Sequence, residues 1–422
     1  MPEQSDNTVN KLVDHFFRHE SGRMVAVLTR VFGFANIEQA EDIVQDTIIR
    51  ALETWRFGRL PDNPQAWLYR TARNKAIDLI RREKVKHKIE TELAPLLKSE
   101  YTLVPAMSEM FKENEVKDSQ LRMMFACCHP AITKEAQITL MLKTLCGLST
   151  KEIGRAFLSN EETIQKRLYR IKEKIKEEHI SLDYPGADRM PARLDSVLKA
   201  LYLLFNEGYN SSHPEKLIRE DLCEEAMRLT ILLTENEKTN QPYTNALLAL
   251  MCYHASRFNT RLDDNGFIIL LKDQNRKLWN HFLIERGNDY LNRSAYEDLI
   301  HEYHIEAAIA SVHANAKSYE DTDWPLILKL YNSLANRVQN PVVSINRCIA
   351  LGEVKGYEKA IEELEKINGM SENCYYNASL AEMHLKAGHK KEALKYFQHA
   401  LTLTSSNAET ELIRRKINLC KE

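Results

Sequence analysis

The sequence predicts an all-α protein built from more than one domain. Apolar residues recur at helical spacing through almost the whole chain, while strand-like alternation is scarce. With 13 Gly and 12 Pro in 422 residues, the turn signals that a hairpin-rich β protein needs are missing. A chain of 422 residues also exceeds the roughly 100–200 of one ordinary core, so two or three domains are expected. Its 44% hydrophobic and 28% charged residues are those of a globular protein, not of a disordered or membrane one. There is no run of about 18 apolar residues, and "MPEQSDNTVN" lacks the basic-then-apolar pattern of a secretion signal. A cytoplasmic location without a membrane partner is expected.

A first block spans residues 8–83. It holds an apolar-patterned helix from Val9 to Val31, an acidic-faced helix from Ile37 to Trp55, the loop "RFGRLPDNP", and a helix opening at Gln65. Pro64 stands in the first turn of that helix, where proline sacrifices no hydrogen bond. Residues 84–118 are polar, poorly periodic and interrupted by two prolines, so they read as a linker with some helix. A second block, residues 119–180, contains "GLSTKEIGRAF" followed by "LSNEETIQKRLYRIKEKIKEE". Ser149 with Glu152, and Ser159 with Glu162, fit the S-x-x-E capping box. Two helix starts that close together describe a helix-turn-helix. Beyond "LDYPGADRMP", residues 191–422 form a larger helical block. "GYEKAIEEL" resembles "GHKKEALKYFQHAL" at offsets of 32 for Gly356 to Gly388 and 33 for Ala360 to Ala393, close to the period of about 34 of tetratricopeptide repeats.

The formal net charge of −2 conceals an uneven distribution. Between Trp67 and Lys88 eight Lys or Arg face two acids, and between Thr163 and Lys176 six face only Glu173. Two basic segments in a near-neutral chain point to local contacts with a polyanion. On the helix from Thr163, the residues Thr163, Gln165, Lys166, Arg167 and Arg170 are those that a helix-turn-helix offers to the major groove, over a buried face of Ile153, Phe157, Ile164, Leu168 and Ile171. In "NPQAWLYRTARNKAIDLIRRE", Trp67 and Tyr69 share a helix with Arg70, Arg73, Asn74, Lys75, Arg81 and Arg82. Aromatics beside bases suit unstacked nucleobases, although Trp67 equally suits a core. The acids of "AEDIVQDTIIRALE" repel DNA, and a protein partner is the better use for them.

Enzymatic chemistry is not expected. Eight cysteines are scattered without a CxxC pair. In "MFACCHP", Cys127 and Cys128 point about 100° apart on a helix and cannot chelate one ion together. His301 with His304, and His15 with His19, have same-face spacing, but HExxH, GxxxxGK[ST] and GxSxG are absent. No metal and no cofactor are expected.

These motifs resemble those of bacterial RNA polymerase sigma factors of the extracytoplasmic-function type. "AEDIVQDTIIRAL" looks like the helix by which their second region docks on the polymerase clamp, "WLYRTARNKAIDLIRRE" like the helix that melts and holds the -10 element, and "GLSTKEIGRAFLSNEETIQKRLYRIKEKI" like the fourth region that reads the -35 element. The remainder, through "FACCHPAI", "LYLLFNEGY", "DTDWPLILKLYNSL" and "NPVVSINRCIAL", is similar to a subgroup with a long tetratricopeptide-like C-terminal extension. The resemblance implies two small helical sigma domains plus a larger C-terminal one that modulates activity. It implies core RNA polymerase as partner, through the clamp helices of the beta-prime subunit and the beta subunit flap, and promoter DNA. Glu41, Asp42, Gln45 and Asp46 then face polymerase. The loop from Phe57 to Asn63 captures a flipped base, with Asn63, Trp67, Arg70, Arg73, Asn74, Arg81 and Arg82 on the -10 strand. Thr163, Gln165, Lys166, Arg167 and Arg170 read the -35 duplex. The competing reading is a helix-turn-helix regulator with a protein-binding repeat domain that is not a polymerase subunit. For the C-terminal block, Tyr202, Phe205, Tyr209, Trp279 and Trp324 are candidates for a ligand pocket, although helix packing is the commoner use of such residues.

Overall fold

The computed structural model describes residues 3–57, 60–84, 100–157, 159–210, 218–296, 300–404 and 406–421. Every element of length among them is a helix; the single β feature is an isolated bridge between Leu262 and Ile268. None of these helices is long and apolar enough to cross a membrane. The chain divides into two compact units, residues 1–204 and 205–422.

Unit 1 is organised around α1 (Glu3–Phe32), against which α2 (Ile37–Phe57), α3 (Pro64–Lys84), α5 (Glu113–Cys127) and α6 (Lys134–Thr144) all pack. α4 (Glu100–Met110) joins α3 to α5, and Pro105 lies inside it. The expected linker is therefore largely helical from Glu100 onward, and the helix bearing Cys127 starts at Glu113, inside the stretch read as linker; residues 85–99 lie outside the described ones. Met24, Val27, Leu28 and Val31 of α1 are fully buried with Leu68, Ala72, Ala76 and Ile80 of α3. Gly22 lets α1 approach α6 closely, since a Cβ there would sit 1.9 Å from the Leu145 carbonyl oxygen. Three arginines of α1 reach across as well: Arg18 to Glu152 at 2.7 Å, Arg23 to Glu113, and Arg30 to Glu115 at 2.9 Å and Asp118 at 3.0 Å.

The helix-turn-helix is α7 (Thr150–Ala156) followed by α8 (Glu161–Glu177). The capping box at Ser149 forms: its amide donates to Glu152 Oε2 at 2.8 Å, and its Oγ accepts from the Glu152 amide at 3.2 Å. The second expected box does not. Asn160 caps α8 instead, its Oδ1 accepting from the Thr163 amide at 2.8 Å, because the helix begins one residue later than the S-x-x-E spacing implies. α9 (Met190–Tyr209) runs past the division of the units.

Unit 2 continues with α10 (Glu220–Thr234), α11 (Pro242–Ala255), the short α12 (Phe258–Arg261), α13 (His281–Ser294) and α14 (Glu302–Asn315). Then come α15 (Trp324–Ala335), α16 (Pro341–Lys355), α17 (Tyr357–Leu364), α18 (Cys374–Lys386), α19 (Lys390–Leu403) and α20 (Asn407–Lys421). From α14 onward each helix packs on the next. Three cores follow one another, and helices are shared between them: α16 gives Ala350 and Leu351 to one and Ile345 and Cys348 to the next, while α18 gives Tyr376, Leu380 and Met383 to that one and Ala381 to the last. Such nearest-neighbour stacking is the physics of a solenoid. The sequence repeat has a structural counterpart, since Gly356 and Gly388 both take positive φ, 89° and 88°, at the bend between two helices, and Ala360 and Ala393 are both fully buried one turn later.

Candidate nucleic-acid interface

α2 buries Ala40, Ile43, Val44, Thr47 and Ala51. The opposite face exposes Asp42, Gln45 and Asp46 and continues into Ile49 and Leu52, which are 46% and 49% exposed. Two large apolar side chains beside three polar ones form a surface suited to protein contact. The acidic motif alone does not reveal Ile49 and Leu52; the signal is that α2 carries more apolar residues than one buried stripe can hold. Asp46 is bridged to Lys75 of α3 at 3.0 Å and remains two-thirds exposed.

α3 begins where Asn63 caps it: Oδ1 accepts from the Ala66 amide at 2.9 Å, and the main-chain oxygen accepts from Trp67. Arg70 and Asn74, one turn apart, are exposed, as are Arg81 and Arg82 further along. Two residues of the expected row are used internally. Trp67 packs edge-on against Trp55, 5.5 Å between centroids, and Trp55 stacks on Phe17. Arg73 donates to Ser108 Oγ at 3.0 Å, and its Nε is buried. Of the base-capture loop, residues 58 and 59 and the side chain of Phe57 lie outside the described ones.

On α8, Ile164, Leu168, Ile171 and Ile175 are buried, while Thr163, Gln165, Lys166 and Arg170 are exposed. Tyr169, 65% exposed on the same face, belongs with them. Arg167 turns inward, donating to Thr139 Oγ1 at 3.2 Å with its guanidinium over the Phe157 ring.

One contact links the two expected interfaces. Lys172 of α8 reaches Glu41 Oε2 at 3.1 Å and Glu38 Oε1 at 3.3 Å. Lys172 and Glu41 are 17% and 18% exposed, so this is a partly sheltered pair. Burial works against the lysine's charge, but Glu41 and then Glu38 outweigh it and hold its pKa above the ordinary value. Glu41 is therefore engaged within the chain, unlike Asp42 and Gln45.

Residues 16–85, which include α2 and α3, match the Sigma-70 region 2 family. Residues 193–295 match a family of unknown function, DUF6596. An uncharacterized protein of Rhizobium meliloti (strain 1021) is 33% identical over 388 residues, 91% of this chain and 90% of its own length. The ECF RNA polymerase sigma factor SigE of Mycolicibacterium smegmatis is 26% identical over 164 residues, 39% of this chain and 60% of its own. The RNA polymerase sigma factor SigV of Bacillus subtilis is 27% identical over 138 residues, 32% of this chain and 72% of its own. The chain belongs to the extracytoplasmic-function sigma factors, in the form with a long C-terminal extension.

Within this sigma factor, Met124 to Cys128 of "MFACCHP" are core, while His129 is half-buried and Pro130 exposed. Cys127 and Cys128 are fully buried at the end of α5, with Cys127 Sγ 3.6 Å from Thr144 Oγ1 and Cys128 Sγ 3.5 Å from Met141 Sδ. Burial pushes the Cys127 thiol up to about 12 and that of Cys128 well above its ordinary range, so neither supplies a thiolate at neutral pH. The "HEYH" pair of the sigma factor is a helix cap: His301 Nδ1 accepts from the Tyr303 amide at 3.3 Å, and His304 Nδ1 accepts from the His301 amide at 3.1 Å. His19 lies 3.1 Å from Glu20, and the side chain of His15 is outside the described residues.

Proposed function

We propose that this sigma factor binds core RNA polymerase and directs promoter-specific initiation, with no catalysis of its own, and that the C-terminal extension modulates that activity. The observation that carries the reading is the coexistence in unit 1 of three surfaces of different chemistry. An acidic-apolar face on α2 suits a protein. A row of Arg70, Asn74, Arg81 and Arg82 on α3 suits a nucleic acid strand. A groove-sized helix, α8, presents Thr163, Gln165, Lys166, Tyr169 and Arg170. A repressor or activator needs only the third.

In this reading residues 8–83 act as region 2, residues 84–118 connect, residues 119–180 act as region 4, and residues 191–422 regulate. Asp42, Gln45 and Asp46, with Ile49 and Leu52, meet the clamp helices of the beta-prime subunit, and region 4 meets the beta flap. Glu41 joins them once Lys172 lets go. Asn63, Arg70, Asn74, Arg81 and Arg82 follow the -10 strand, while Trp67 and Arg73 support that helix from within. Arg167 likewise braces α8 for its exposed neighbours at the -35 element.

Reconstituted transcription tests the proposal. Core polymerase with the full chain is expected to start at promoters sharing one upstream motif, and promoter binding is expected to require core. Tight duplex binding by the chain alone, with no transcription from core, would overturn it.

A further inference from the structure

Unit 2 holds a cluster of cations and aromatics that the sigma reading does not use. Tyr209 stacks 6.0 Å from Phe205 and lies 4.8 Å from His254. The guanidinium of Arg261 is 3.8 Å from the Tyr209 ring centroid, that of Arg257 is 6.0 Å from it and 5.9 Å from the Trp279 ring, and that of Arg276 is 4.8 Å from Trp279. Arg276 has a structural use: its Nη1 donates to the carbonyls of His313 at 2.6 Å and Ala316 at 2.8 Å, at the C-terminal end of α14, where a cation is favoured. Arg257 donates to the Tyr209 hydroxyl and Arg261 to the Tyr209 carbonyl. Neither has a carboxylate within ion-pair distance among the described residues.

Around these charges are buried nitrogens without a partner: the donors Arg257 Nε and Trp279 Nε1, and His313 Nδ1. Trp279 is 3% exposed. His254 and His313 keep some accessible surface, yet burial first, and Arg257 next, push their pKa values down to about 3 and about 4. Both imidazoles are neutral, so each can donate through one nitrogen. The cluster combines two positive charges that have no carboxylate partner among the described residues with buried nitrogens left unpaired, an arrangement that is costly unless something accepts from it.

We propose that this cluster binds a small oxyanion-bearing metabolite, whose carboxylate or phosphoryl oxygens pair with Arg257 and accept from its Nε, from Trp279 Nε1 and, in the Nδ1–H tautomer, from His313 Nδ1. The planar guanidinium fork suits either group. Six of the residues, Tyr209, His254, Arg257, Arg261, Arg276 and Trp279, fall within the stretch that matches the family of unknown function. The site stands on these groups alone and does not depend on the promoter reading.

The full chain is titrated with inorganic phosphate and with succinate, each against sodium chloride at equal ionic strength, following the melting temperature and tryptophan fluorescence. At least one oxyanion is expected to give a saturable rise in melting temperature of a few degrees that chloride does not give. A response to phosphate alone identifies a phosphoryl ligand, and a response to succinate alone a carboxylate. The saturable response is expected to vanish in Arg257→Met and to weaken about tenfold in Trp279→Phe, which keeps the ring and removes the donor. Where Arg257→Met does not fold, Trp279→Phe and Arg257→Lys decide. No saturable response in the wild type, or an unchanged one in Trp279→Phe and Arg257→Lys, overturns the site.

Discussion

Arg70 and Arg73 stand three residues apart on α3 and serve different ends. Arg70 is exposed, whereas Arg73 is held by Ser108 Oγ at 3.0 Å. Arg70→Ala is expected to change stability by less than about 0.5 kcal/mol while weakening promoter engagement. Arg73→Ala is expected to lower stability by about 1 kcal/mol through the lost hydrogen bond. Urea unfolding alongside promoter binding by the holoenzyme separates the two, and equal stability losses would sink the distinction. Lys172 carries a second prediction at this scale. Its pairing with Glu41 and Glu38 ties α8 to α2, so Lys172→Ala is expected to free Glu41 and raise the apparent affinity for core polymerase. A pair worth about 1 kcal/mol corresponds to roughly fivefold, and added salt should narrow the gap between variant and wild type. Affinity equal to the wild type at every salt concentration would show that the contact does not restrain docking.

At the scale of elements, the bends of the C-terminal helices depend on backbone more than on side chains. Gly356 sits at φ 89° and ψ 152°, a region essentially closed to residues with a Cβ, although the space around it is open. Gly356→Ala is therefore expected to cost about 1–3 kcal/mol by strain alone. A melting temperature that does not move would contradict this account of the bend. Helix starts illustrate the same dependence on local detail: Ser149 with Glu152 forms its box, while Asn160 displaces Ser159 as the cap of α8. Both residue types cap well, and which one does so depends on where the turn after α7 delivers the chain.

At the scale of the whole molecule, α9 dictates how the extension can be removed. Arg193 on α9 donates to the Phe125 carbonyl of α5, and Leu194, Val197, Leu198 and Leu201 are fully buried. A chain ending after Asn210 keeps that helix, whereas one ending near residue 190 loses it. With circular dichroism as the check on folding, the chain ending after Asn210 is expected to differ from the full chain in core affinity or promoter output. If it is folded and both are unchanged, the extension does not modulate the sigma activity. Acid stability belongs to this scale too. His254 is depressed to about 3 by burial, then by Arg257, Arg261 and His313; His313 is depressed to about 4 by burial, then by Arg257 and Arg276. In the unfolded chain both take up a proton near pH 6.5, so below that value the unfolded state binds more protons. Stability should be full above about pH 6.5 and fall as pH drops towards about 4. Urea midpoints measured across that window test it, and a flat profile would mean that the two imidazoles are not enclosed.

The helical class, the order of the acidic helix, the basic helix and the helix-turn-helix, and the family these belong to follow from the residues alone. Helical periodicity, capping residues and runs of like charge are local properties, so they survive without coordinates. The buried stripe of α8 was legible for the same reason. Which polar side chains face outward depends on packing between segments far apart in the chain. Arg73, Arg167 and Glu41 sit in motifs whose neighbours are exposed, yet each meets a partner at least 28 residues away in the chain. The cluster of cations and aromatics in unit 2 is hidden for a like reason. Tyr209 and Trp279 stand out as aromatics in the sequence, but the arginines that give them meaning come from α12 and its flanks. Charge partners distant in sequence leave no periodic trace, and burial turns the same residue from a surface contact into a support or a binding group.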